Sequence, residues 1–74
     1  MKREQMITEI QKQEAALFLK IKLVERDFGR ASDLYTMARS EWKAVSCLME
    51  TLGIEPDMDA PEVAQALRVM ATIE

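Results

Sequence analysis

Apolar residues fall at Ile7, Ile10, Leu17, Ile21, Val24 and Phe28, in alternating steps of three and four that return to one face of a helix. The same phase continues through Ala31, Tyr35, Ala38, Trp42, Val45, Met49 and Leu52, so thirteen of fourteen successive seam positions are apolar or aromatic and Glu14 alone interrupts. Taken by itself the seam describes one continuous helix of roughly 75 Å at ~1.5 Å per residue, paired as a long coiled coil. Local chemistry favours a break instead. Phe28-Gly29 supplies a helix-ending glycine, and Ser32-Asp33 supplies an N-cap serine with an acidic first-turn residue behind it. A continuous helix would carry Gly29 in its interior at about 1 kcal/mol relative to alanine and leave the cap unused.

The width of the stripe points the same way. Phe18, Leu19, Leu23, Leu34, Met37 and Leu48 lie beside the seam, which is more apolar surface than a two-stranded coil buries and suits helices with two neighbours each. Gly53 then ends the second helix, and Pro56 interrupts the loop that follows. The third helix is expected to start at Asp59 as its cap, with Glu62 three residues on and Pro61 in the first turn. Val63, Ala66, Leu67 and Met70 share a face suited to lying across the first two helices. The pattern predicts an all-α fold with helices over about 2–28, 33–52 and 60–73. These form an antiparallel helical hairpin plus a short C-terminal helix, a single helical domain over 1–74, expected as a dimeric helical bundle.

Size sharpens the expectation of a dimer. A chain of 74 residues buries only about 60% of its unfolded surface, and small domains usually compensate with disulfides, a metal or association. One cysteine, Cys47, and no histidine remove the first two remedies. A hydrophobic fraction of 49% beside 31% charged residues favours a folded chain over a disordered one. No apolar run approaches the ~18 to 20 residues of a membrane helix. Residues 1–5 lead directly into amphipathic sequence rather than a signal peptide's apolar core, so a cytoplasmic protein is expected. The lone cysteine agrees with a reducing compartment.

Candidate chemistry is sparse. Without histidine, Cys47 has no imidazole to make its thiolate, and Gly29 and Gly53 lie too far apart for a phosphate cradle. Glu55, Asp57, Asp59 and Glu62 cluster in sequence but match no calcium-binding loop. No catalytic residue, cofactor or metal is expected, and the chain reads as non-enzymatic. The net charge of −3 is uneven: the segment after residue 52 holds one basic residue against five acidic ones, which disfavours direct binding to duplex DNA. Lys22, Arg26 and Arg30, spaced by four, form one basic row, diluted by Glu25 and Asp27.

The aromatic residues and their apolar neighbours are the best candidates for recognition, namely Trp42, Tyr35, Phe18, Leu19 and Leu23. Six methionines add adaptable apolar surface. The expected role is a protein–protein interaction module acting as a homodimer, with another protein as a further partner. Two alternatives remain open: an acidic inhibitor that blocks a basic groove on an enzyme, and a nucleic-acid-binding accessory protein using the basic row. The run Phe28-Gly29, Ser32, Ala38-Arg39-Ser40, Trp42 and Leu52-Gly53-Ile54 resembles small helical-hairpin proteins of prophages and other mobile elements of gut Firmicutes, over about residues 5–55. The resemblance implies a hairpin turning at Phe28-Gly29 and a mobile-element context, in which the expected module would act as a regulator or accessory factor, and it carries no activity or functional residue across.

Overall fold

The computed structural model describes residues 2–73; Met1 and Glu74, counted above among the methionines and the acidic final segment, lie outside them. The described residues are all-helical: α1 spans Arg3–Phe28, α2 Asp33–Leu52 and α3 Pro61–Met70. The continuous seam is therefore interrupted, and the interruption is built from local bonds. Gly29 takes φ 81° and ψ 167°, and its N–H donates to the Glu25 carbonyl at 3.0 Å, closing α1. The Ser32 hydroxyl then works in both directions, donating to the Gly29 carbonyl at 3.0 Å and accepting from the Tyr35 N–H at 3.1 Å. One side chain thus joins the end of α1 to the start of α2, a cap typically worth about 1 kcal/mol.

α2 ends as its glycine requires. Gly53 is left-handed (φ 70°, ψ 29°), its N–H donates to Glu50, and the Ile54 N–H reaches back to the Met49 carbonyl at 2.8 Å. That pair of bonds is the Schellman arrangement, which satisfies carbonyls the helix would otherwise leave bare. The following loop is pinned to α1, because the Gln11 side chain donates to the Glu55 carbonyl at 2.9 Å.

The third helix departs from the sequence expectation at both ends. Its N-cap is Ala60, with no side-chain cap, and Asp59 is instead drawn into the loop, where its N–H donates to Asp57 Oδ1 at 3.1 Å. Proline decides this: the residue before a proline is disfavoured in the helical region, Ala60 is accordingly extended at ψ 139°, and the helix starts at Pro61 with its cap one residue later than a capping box would put it. At the far end α3 stops at Met70 rather than near 73, because the Thr72 and Ile73 N–H groups turn to the Val69 and Met70 carbonyls three residues back.

Packing is centred on α1. α1 meets both α2 and α3, while α2 and α3 do not meet each other, so α3 lies along α1 and not across both long helices. Side chains early in α1 meet residues late in the chain, as Glu14 with Trp42 and Gln11 with Glu55 show. The buried apolar residues are few and small. Ala15, Ala60 and Val63 form one cluster, Ala38 and Ala66 are as deeply enclosed, and Ile21, Met49 and Val69 complete the set. Alanine at these positions lets helices approach closely, but no large side chain among the described residues is fully buried. The molecule is long and thin, 40 × 23 × 17 Å.

Candidate interaction site

Two surfaces stand out, one aromatic and cationic, the other apolar. The first begins with Glu14, the residue that breaks the seam. It is 6% exposed, and its carboxylate accepts a hydrogen bond from the Trp42 indole N–H at 2.8 Å. A buried carboxylate needs such a partner. In return it fixes the indole ring, which lies 6.4 Å from the Phe18 ring at 45°. Lys22 Nζ sits 5.5 Å above the centre of the Phe18 ring, within range of a cation–π contact. Tyr35 joins these rings along a hollow of ≈ 310 Å³, and a second hollow of ≈ 520 Å³ continues it past Trp42 to Arg39 and Lys43.

A second buried carboxylate organises the cations. Glu25 is 6% exposed and receives Arg30 Nε at 2.7 Å and Lys22 Nζ at 3.7 Å. The hydrogen bond from Arg30 holds the Glu25 carboxyl below the usual glutamate range; burial opposes this, and the charges of Lys22 and Arg30 reinforce it. The same bond raises the affinity of the Arg30 guanidinium for its proton. Arg26 pairs with Asp27 at 3.0 Å. Every member of the basic row Lys22, Arg26 and Arg30 is thus matched to a carboxylate on this chain, which leaves little of the row for a phosphate backbone.

The structure brings Phe18, Tyr35 and Trp42 to one site. Leu19 and Leu23 line neither hollow: they lie one and two turns beyond Ala15, the residue of α1 that packs on Ala60 and Val63, and both are half-buried. Sequence reasoning missed Arg39 and Lys43, although their four-residue spacing beside Trp42 was a readable signal. It also missed what Glu14 does, since its partner lies 28 residues away.

The apolar surface is a flank of α2. Leu34, Met37, Leu48 and Leu52 recur at intervals that return to one side of the helix, beside the strip Ala38, Trp42, Val45 and Met49 that faces α1. All four are exposed, Met37 to 60%. At one end Leu52 shares a recess with Met6, Ile7 and Ile54. Midway, Lys20 of α1 and Glu41 of α2 meet at 3.3 Å. Since α3 touches α1 alone, nothing among the described residues covers this flank.

Other sequence candidates do not assemble. The Cys47 thiol is free and exposed. Among the described residues no group of three or more His, Cys, Asp or Glu side chains is placed to hold a metal ion, and no helix is long and apolar enough to cross a membrane. Compared with protein families, curated proteins and solved structures, the chain matches none.

Proposed function

We propose that this chain is a non-enzymatic, cytoplasmic protein–protein interaction module: an antiparallel helical hairpin with a short third helix, working as a homodimeric bundle. The observation that carries the reading is the uncovered flank Leu34, Met37, Leu48 and Leu52. Area supports it quantitatively. A compact monomer of 8.5 kDa exposes about 4,700 Å² by the usual scaling, whereas this chain exposes 5496 Å². The surplus, about 800 Å², is what one partner contributes to an interface of standard size.

A second copy is the occupant that suits this face. Under a two-fold axis the same patch must match itself. Read in either direction, the flank has large side chains at its ends, Leu34 and Leu52, and small Ala44 near its middle. Midway along it, Glu41 and the Lys20 of α1 that it pairs with are opposite in charge and so complement their own two-fold mates. A regulator or accessory role in a mobile element, the context the sequence resemblance implies, is compatible with such a module.

Sedimentation equilibrium at micromolar concentration tests the proposal. The expected species has twice the 8.5 kDa chain mass; a well-folded monomer across that range refutes it.

A further inference from the structure

Independently of the dimer, the aromatic and cationic hollow carries an inference of its own. We infer that it is a docking site for an acidic peptide segment of a partner protein, one carrying an aromatic or large apolar side chain beside its carboxylates.

Charge supports this first. The protein is acidic as a whole, at −3, yet Lys22, Arg30, Arg39 and Lys43 converge on the two adjoining hollows. Among the described residues no carboxylate lines either hollow; the buried Glu14 and Glu25 are bonded to Trp42 and to Lys22 and Arg30 respectively. Lys22 and Arg30 are held by Glu25, while Arg39 and Lys43 form no ion pair among the described residues. Two unpaired cations one helical turn apart make a local anion site on a protein whose net charge is −3.

Shape and rigidity supply the rest. Three of the chain's four aromatic residues, Phe18, Tyr35 and Trp42, line the hollows. Glu14 locks the Trp42 ring before any ligand arrives, so binding need not order that side chain. The hydroxyl of Ser40 borders the same hollow and can donate to a carboxylate. A hollow of ≈ 520 Å³ admits a few residues of peptide, and two unpaired cations match two carboxylates. A nucleic acid would bring a longer run of charge to a protein of net −3, with the basic row already neutralised by Glu25 and Asp27.

The test uses the full chain and a fluorescein-labelled peptide of glutamates around a central phenylalanine. Comparison ligands are the same peptide with glutamine for glutamate and a single-stranded oligonucleotide of equal charge. Anisotropy titrations at low salt are expected to show the glutamate peptide binding about tenfold or more tightly than either. The double variant R39A/K43A is expected to weaken it by about tenfold or more, and Lys12→Ala, an exposed cation elsewhere on α1, by less than about twofold. Both substituted positions are exposed, so helix content by circular dichroism should be unchanged. The inference is overturned if the glutamate peptide does not bind, if R39A/K43A binds it undiminished, or if the oligonucleotide binds more tightly. It is equally overturned if R39A/K43A converts a dimer to a monomer, which would assign the hollow to self-association.

Discussion

Replacing Glu14 with leucine should rescue a protein damaged at Trp42. The reasoning starts from their 2.8 Å hydrogen bond and from Glu14 being 6% exposed. Trp42→Phe removes the donor and strands a carboxylate in the interface between α1 and α2. An orphaned buried polar group costs about 1–3 kcal/mol, more when charged, and the smaller ring forfeits some packing besides. Adding Glu14→Leu removes the stranded group and restores an apolar residue to the seam. Exchanging both members of a buried pair for apolar groups of similar shape is nearly neutral. The double variant should therefore be more stable than Trp42→Phe alone by about 2 kcal/mol. Urea unfolding followed by circular dichroism, with linear extrapolation, measures all three variants against the parent. Protein concentration must be held fixed, because the proposed self-association would shift the midpoint. If Glu14→Leu fails to stabilise the Trp42→Phe background, the coupling is absent and the account of the broken seam is wrong.

Other outcomes follow from neighbouring features. Leu48→Glu, a charge placed on the exposed α2 flank, should shift the proposed dimer to monomer in sedimentation while leaving helix content intact; an unchanged mass moves the interface elsewhere. Glu25 has a lowered folded pKa, so its contribution is full above the ordinary glutamate range, near about pH 4.3, and is lost as pH falls from there through the folded value. Glu25→Gln should then lower stability by about 1–2 kcal/mol at neutral pH and flatten the acid limb of the stability–pH curve. Gly29→Ala should cost more than Gly53→Ala, although neither added methyl meets a neighbour within 4 Å. Gly53 is ordinary left-handed backbone, penalised by about 1 kcal/mol, whereas φ 81° with ψ 167° at Gly29 lies in a region that is essentially glycine's alone, at about 1–3 kcal/mol. Equal midpoints for the two alanine variants would contradict this.

What the sequence disclosed was mostly local. Gly29, Ser32 and Gly53 act on backbone groups within a few residues, so their chemistry can be read from neighbours alone, and they end or cap helices where expected. Asp59 misled because two local rules competed for one helix start, and the ring of Pro61 outranked the capping side chain. The third helix misled for another reason: its apolar face shows that it packs, but not on which helix. The candidate site was half legible. Large rings in a small chain had to gather somewhere, and Phe18, Tyr35 and Trp42 did. Leu19 and Leu23 look the same in sequence, yet they line neither hollow and follow Ala15 along α1 at four-residue steps. The roles of Glu14 and Glu25 depend on partners across a helix interface or a turn, which periodicity records only as an interruption or a surface charge.

Because α2 and α3 share only α1, they are free to open separately. Hydrogen exchange should therefore divide the molecule into ranks, with α1 amides protected longest and the ten-residue α3 exchanging through a local opening of its own. Synthesis imposes the same order. The long pair can form once residue 52 has emerged, but the Ala15 strip stays bare until Ala60 and Val63 follow. A nascent or briefly opened chain thus presents a second apolar surface that the finished protein conceals, and α3 serves as the clasp that closes it.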